Sequence, residues 1–321
     1  MVGPMITVIG SLNMDLVVTA ERAPEQGETV TGTGFAQIPG GKGANQAVAA
    51  ARGGARVAMA GRVGDDAYGR ALVEALEKDP VDTSAIEKIP GIPTGIAAIT
   101  VDQKGHNRIV VVPGANGRLT PKTAEDLRGL IARSRVLLLQ LEIPLDAVGR
   151  AIEIAREEGV CCILNPAPAL SLPDFFYTHV DMLTPNETEL ALLSGRTDIR
   201  EGARVLLERG LATLLVTLGE DGALLLTPEG ERHFPAYRVA MTDSTAAGDC
   251  FNGNLAAGMD RLLEGRTADK TFVPSLIDLV PVIDRAMKAA AISVTRQGAQ
   301  PSLPEAEEID RFDSWYPEHR L

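Results

Sequence analysis

Val136-Leu137-Leu138-Leu139-Gln140-Leu141, then the run Leu145 to Glu158, then Cys161-Cys162-Ile163-Leu164: this stretch decides the fold class. The outer pieces are nearly continuous apolar runs, as strands buried on both faces require, and the middle piece reads as a helix. The same alternation continues through strand Met182–Leu183, helix Glu187–Leu193, helix Gly202–Arg209 and strand Thr213–Thr217. Upstream, strand Met5–Gly10 is followed by an alanine-rich helix Asn45–Arg52 stopped by Gly53-Gly54, strand Arg56–Ala60 and helix Tyr68–Lys78. The pattern predicts an α/β fold: a doubly wound, mostly parallel sheet with helices on both faces. Ligands of such sheets sit beyond the carboxyl ends of the strands.

Two regions do not fit the parallel core. Leu16 to Phe35 holds short β-prone pieces broken by Pro24, Gly27, Gly32 and Gly34. Thr94 to Pro113 reads as a hairpin, with Ile96–Val101 and Arg108–Val112 flanking a turn at Gln103, Lys104 and Gly105. Together they predict a second, smaller sheet over about 13–38 and 94–113. Leu263 to Leu276 is polar and irregular, which predicts a surface loop.

Composition narrows the function classes. The 321 residues carry a net charge of −12, with 45% hydrophobic and 23% charged residues. An acidic chain without a basic patch does not bind nucleic acid by default, and an anionic substrate would need backbone donors or a metal. No apolar run is long enough to span a membrane, and Met1 to Gly10 lacks the basic start of a signal peptide. Three cysteines, two of them adjacent, give no disulfide or metal framework and fit a reduced, cytoplasmic compartment.

The polar segments that follow strands carry the chemistry. Ser244-Thr245-Ala246-Ala247-Gly248-Asp249 sets small residues and an aspartate at the start of an apolar helical run. Free N–H groups at a helix start attract anions, and a carboxylate beside a phosphate is what phosphoryl transfer to an alcohol requires. The competing reading is a first-turn acid favoured by the helix dipole. Asn13 and Asp15, two apart after the first strand, can hold neighbouring sugar hydroxyls or form an Asx turn. Pro39-Gly40-Gly41-Lys42-Gly43-Ala44-Asn45-Gln46 opens a helix without P-loop spacing; Gly41 permits close backbone approach and Asn45 can point into a site, or the segment is a tight turn with a solvated Lys42. Glu142 can accept a hydroxyl or cap the next helix. Asn165-Pro166-Ala167-Pro168 is a stiff turn. In Thr184-Pro185-Asn186-Glu187-Thr188-Glu189 the acids can hold water on a hard divalent ion or suit the first turn of a helix. Thr217-Leu218-Gly219 begins a turn that can pass under a nucleotide or join a hairpin. The loop Thr295–Ser302 offers carbonyls to a cation. The four histidines lie outside all these segments, so Asp249 has no rival as base. Cys250, at a helix start, is either a reactive thiolate or a packed core thiol.

Taken in order, Gly40-Gly41-Lys42-Gly43-Ala44-Asn45-Gln46 and Ala246-Ala247-Gly248-Asp249 resemble the two signatures of the ribokinase-like carbohydrate kinase family, and matching pieces run from Gly10-Ser11 to Pro301-Ser302. Gln140-Leu141-Glu142, Asn165-Pro166-Ala167-Pro168 and Gly298-Ala299-Gln300-Pro301-Ser302 look like its ribose-specific members more than its fructose, adenosine or ketodeoxygluconate kinases. The resemblance implies one kinase domain over 1–321 whose small sheet is a lid and a homodimer interface. It implies ATP-dependent phosphorylation of D-ribose at the 5-hydroxyl, with deoxyribose or another sugar or nucleoside as the alternative acceptor and a non-catalytic sugar-binding regulator as the rival class. It implies that Asn13, Asp15, Gly41, Lys42, Asn45 and Glu142 hold the sugar, that Asp249 takes the proton, and that Ala246, Ala247 and Gly248 form the anion hole. Asn186, Thr217, Gly219 and Gly248 would position ATP, and Glu189 would act on Mg²⁺ through water. Asp243, Thr245, Ser293, Arg296, Gly298 and Ser302 would hold a monovalent cation, K⁺. Two places depart from the family pattern: the long segment 263–276, and Met287, near the adenine where some relatives carry a polar residue.

Overall fold

The computed structural model describes residues 5–265 and 274–321. Thirteen strands form two sheets. The large sheet takes β1 (Ile6–Ile9), β4 (Val57–Gly64), β5 (Val81–Ile89), β8 (Val136–Leu139), β9 (Cys161–Leu164), β10 (Met182–Leu183), β11 (Leu214–Thr217), β12 (Ala223–Thr227) and β13 (Gly230–Phe234), in the order β13-β12-β11-β10-β9-β8-β1-β4-β5. From β5 to β11 every pairing is parallel; β12 and β13 join antiparallel.

Alternation along these strands feeds two cores. Ile6, Val8, Leu138 and Ile163 face one core with the helices Lys42–Arg52, Ala247–Leu262 and Leu276–Ser293. Ile9, Leu137, Leu139, Cys162 and Leu164 face the other with Leu145–Glu158 and Ile199–Glu208. Both faces of the sheet are thus covered, as the apolar runs require. Met287 is packed into the first of these cores.

The small sheet takes β2 (Asn13–Ala20), β3 (Gly32–Gly40), β6 (Gly95–Val101) and β7 (Asn107–Val112), in the order β3-β2-β6-β7. β2 starts four residues after β1 ends, and β3 ends two residues before the helix Lys42–Arg52 begins. The small sheet therefore hangs from the carboxyl edge of the large one. Its outer strands are open to solvent: β7 is exposed along its whole length, including Ile109, Val110, Val111 and Val112, and Phe35 on β3 is 64% exposed.

Several boundaries differ from the sequence reading. The first helix starts at Lys42 rather than Asn45, because remote groups satisfy its first N–H donors. The Gly202–Arg209 helix starts at Ile199, capped by the Asp198 side chain. β5 is a strand that the pattern did not reveal; it edges the sheet, so its sequence is half polar. The turn after Thr217 does join a hairpin, β11 to β12. The loop expected over Leu263–Leu276 lies mostly outside the described residues, and Leu276 itself opens a helix capped by Ser275.

Candidate active site

Connections leave β1 and β8 in opposite directions along the sheet, so this pair is the switch point of the topology. Loops on either side of such a point part and leave a crevice. Here the loop after β1 supplies Ser11, the start of β2 supplies Asn13, and the loop after β8 supplies Glu142. One oxygen of Glu142, Oε2, accepts from Ser11 Oγ at 2.5 Å, Asn13 Nδ2 at 3.3 Å and the backbone N–H of Lys42 at 3.1 Å. Glu142 thus caps the helix Lys42–Arg52, which has no local side-chain cap. The cap was foreseen, but for the helix after Glu142 rather than one a hundred residues before it.

Gly41 precedes that helix at φ +92, and a Cβ there would stand 2.7 Å from the Asn13 backbone nitrogen. Only glycine fits both constraints. Asn13 is fixed in turn by Asn116, whose Nδ2 donates to Asn13 Oδ1 at 2.8 Å and to the Leu12 carbonyl at 3.0 Å. Asp15, on β2, faces Gly40 at the end of β3, where any Cβ would strike its carboxylate. Burial, then the negative charges of Glu142 and Asp249, raise the Asp15 carboxyl to about 7.

Asp249 sits in the first turn of the helix Ala247–Leu262 and is 6% exposed. That helix packs backbone to backbone on Lys42–Arg52: a Cβ at Gly253 would lie 2.5 Å from the Gln46 carbonyl oxygen and 2.8 Å from the Ala50 nitrogen. Asp249 lies one turn before Gly253 on the same face, so the close approach brings it to the start of the other helix. There Asn45 Nδ2 donates to its Oδ2 at 3.0 Å and Gln46 Nε2 to its Oδ1 at 2.9 Å. The helix has no side-chain N-cap, and Ala246 before it stands at φ 59, the left-handed region that non-glycine residues rarely adopt. Outside its chain neighbours and the backbone of its own helix turn, no atom of the described residues stands within 4 Å of where a Gly248 side chain would begin. An uncapped helix start facing open space, with a carboxylate in its first turn, can take an anion beside a base.

Lys42 leans into the same field. Burial acts to lower its ammonium, but Asp249, Glu142 and Glu189 together raise it. Asn186 and Glu189 form a reciprocal capping box, Glu189 N–H to Asn186 Oδ1 and Asn186 N–H to Glu189 Oε2, both 2.8 Å. Burial raises the Glu189 carboxyl; its bond from Asn186 and the charge of Lys42 oppose this. Asn186 bridges Thr217 across adjacent strand ends, and Gly219 follows on an exposed turn. Among the described residues no cluster of three His, Cys, Asp or Glu side chains could hold a metal ion.

Just upstream of the helix, Asp243 Oδ1 accepts from the N–H and hydroxyl of Thr245 at 2.9 and 2.6 Å, and Oδ2 accepts from Gly298 N–H at 2.9 Å. Burial would raise the Asp243 carboxyl, but these bonds hold it below the usual range. Asp243 therefore ties the loop before the helix to the loop Thr295–Ser302, with Ser293 and Ser302 buried behind. The Arg296 guanidinium is turned away to Glu308, which leaves its carbonyl as the group it can offer.

Cys250 overturns one sequence-based reading. It is fully buried, and burial pushes its thiol up to about 12, far more than the helix start can offset. It is a packed core thiol. Gln46, Ser11 and Asn116 were not singled out from sequence. Gln46 could have been, as a long amide within Ala44-Asn45-Gln46-Ala47-Val48-Ala49; nothing local marks Asn116.

Residues 4–306 match the model of the pfkB family of carbohydrate kinases. The chain belongs to that family. It is a carbohydrate kinase, a phosphotransferase with an alcohol acceptor, whose curated relatives include a ribokinase of Haemophilus influenzae, 38% identical over 96% of this chain and 97% of that protein. A deoxyribokinase of Salmonella typhimurium is 38% identical over 96% and 98%. Among solved structures, Arabidopsis thaliana ribokinase complexed with ribose and ATP superposes with a TM-score of 0.85, at 29% identity, covering 97% of this kinase and 98% of that chain.

Proposed function

We propose that this carbohydrate kinase transfers the γ-phosphoryl group of ATP to the 5-hydroxyl of D-ribose, releasing ribose 5-phosphate and ADP. The observation that carries the reading is the meeting of Asp249 with Asn45 and Gln46 at an uncapped helix start, next to the polar crevice between β1 and β8.

Asn13, Asp15, Gly41, Asn45 and Glu142 hold the sugar hydroxyls. Two unspent groups support this: Asn45 Oδ1 is buried without a partner, and the three bonds to Glu142 all fall on Oε2. Asp249 accepts the proton of the 5-hydroxyl, whose oxygen then attacks the γ-phosphorus in line as the bridging oxygen departs with ADP. The N–H groups at Ala246, Ala247 and Gly248 hold the γ-phosphate oxygens, and Lys42 brings a positive charge to an otherwise acidic cleft. Asn186, Thr217 and Gly219 position the nucleotide. Glu189, a single carboxylate, would hold through its waters a Mg²⁺ carried with the phosphates, and that ion would supply neutralising charge at their oxygens. Asp243, Thr245, Ser293, Arg296, Gly298 and Ser302 would hold K⁺: Ser293 ends the helix before the loop Thr295–Ser302, and Asp243 already ties that loop to its own.

The small sheet, residues 13–38 and 94–113, is the lid, and its closure keeps water from the phosphoryl group. Its exposed Phe35, Ile109 and Val110 form the interface of a homodimer. Three free cysteines fit a cytoplasmic protein. Deoxyribose is the second reading, because a deoxyribokinase is as similar as a ribokinase. ADP release is measured with ribose, deoxyribose, fructose and adenosine, each with and without K⁺. Ribose with K⁺ gives the highest kcat/KM; a higher value for any other acceptor refutes the assignment.

A further inference from the structure

The carboxylate of Asp249 can rotate about its Cβ–Cγ bond at little cost, and each partial turn swings its basic lone pairs out of line with a hydroxyl. A base that must meet one hydroxyl in line cannot have that freedom. We propose that Gln46 is a positioning residue that removes it, holding Oδ1 so that Oδ2 is the oxygen that takes the proton. The inference rests on Asp249 being the base.

Gln46 is fully buried, and both of its amide N–H donors and its carbonyl oxygen are hydrogen-bonded. Its Nε2 donates to Asp249 Oδ1 at 2.9 Å and to Asn165 Oδ1 at 3.0 Å, and its Oε1 accepts from Gln140 Nε2 at 2.6 Å. The orientation of these amides is determined by their ends. Asn165 Nδ2 donates to the Thr184 carbonyl at 3.0 Å, so its oxygen must face Gln46. A carboxylate only accepts, so the Gln46 nitrogen must face Asp249. The chain then closes on itself: Thr184 Oγ1 donates to Asn252 Oδ1 at 2.6 Å, and Asn252 Nδ2 to the Gly248 carbonyl at 2.8 Å, one residue before the base. Oδ1 is thereby tied through Asn165, Thr184 and Asn252 to the backbone of its own helix turn.

Asn45, the next residue on the same helix, is built differently. It gives Asp249 Oδ2 one bond at 3.0 Å, and its own Oδ1 has no partner. Asn45 can turn to a sugar hydroxyl and release Oδ2; Gln46 cannot turn without leaving buried donors and acceptors unpaired. The two neighbours divide the work, one yielding to substrate and one holding the base.

The test uses Gln46→Met, which keeps the volume and removes the donors, and Gln46→Glu, which keeps the shape and places an acceptor against Oδ1. Each is made in the natural chain and in an Asp249→Asn background, with kcat, sugar KM and Tm measured. Gln46→Met is expected to lower kcat by about 10- to 100-fold, the range for loss of a bond to a charged group, with sugar KM within about threefold. Gln46→Glu lowers kcat at least as much. In the Asp249→Asn background either change costs less than about twofold more, because a residue acting only through Asp249 has nothing left to act on. A Gln46→Met enzyme with near-normal kcat, or equal losses in both backgrounds, overturns the proposal; if that variant does not fold, Gln46→Glu decides by the same two criteria. If Asp249→Asn keeps its turnover, the base assignment itself falls; if Asp249→Asn loses turnover and the Gln46 variants do not, only the positioning role falls.

Discussion

Glu142 takes three hydrogen bonds on one oxygen before any ligand arrives, while the helix start at Ala246 to Gly248 has no side-chain cap at all. The half proposed for the sugar, with Asn13, Gly41 and Asn45, is buried and cross-linked by side chains. The half proposed for the phosphates, with Gly248, Asn186 and Gly219, is exposed. Sugar hydroxyls are weak ligands that need donors and acceptors fixed in advance, since each ordered on binding subtracts from affinity. A triphosphate with its metal brings strong charge, so open N–H groups suffice. On the proposed assignment, the half that discriminates is buried and cross-linked, and the half that admits and releases a nucleotide is open to solvent.

Substitutions in the two halves should therefore fail differently. Glu142→Ala strands the donors of Ser11, Asn13 and Lys42; sugar KM should rise by about 100-fold and Tm should fall. An unchanged Tm would show that Glu142 is no helix cap. Asp15 tests the cost of a preformed pocket. Its carboxyl, raised to about 7, binds a proton more tightly in the folded chain than in the unfolded one. Folding stability is therefore lost as pH rises from the unfolded value near 3.8 through 7, and the full penalty stands above 7. Asp15→Asn should raise Tm at pH 8, leave it nearly unchanged at pH 3.5, and raise sugar KM by roughly 10- to 30-fold. In the natural enzyme, sugar KM should climb as pH falls below about 7. A flat profile from pH 8 to 6 would contradict Asp15 as an ionised sugar ligand. On the other side, Glu189→Gln should raise the Mg²⁺ concentration for half-maximal rate by about tenfold and leave sugar KM alone. The smallest effect is expected at Cys250: thiol reagents should not label it in the folded protein, and labelling should appear only on unfolding.

The same contrast governs how much could be read from sequence. Buried parallel strands announce themselves, and Cys161–Leu164 and Met182–Leu183 have the bounds their apolar runs predict. β5 was hidden because an edge strand alternates imperfectly and carries charges. Glycines and small residues marked the open phosphate half, where the requirement is local backbone conformation. The cross-linked half depends on pairs such as Ser11 with Glu142 and Gln46 with Asp249, over a hundred residues apart in sequence. Each partner alone fits a cap or a turn, and only the parallel pairing of β1 with β8, and the packing of helix Lys42–Arg52 on Ala247–Leu262, joins them.

Asp249→Asn addresses the base directly, with turnover and sugar binding measured on the same preparation. Asparagine keeps the shape and loses the proton acceptor. Calorimetric ribose affinity should stay within about fivefold while kcat falls by ~10²–10⁴, the usual share of a general base. A variant that binds ribose and turns over at a near-normal rate would contradict the account.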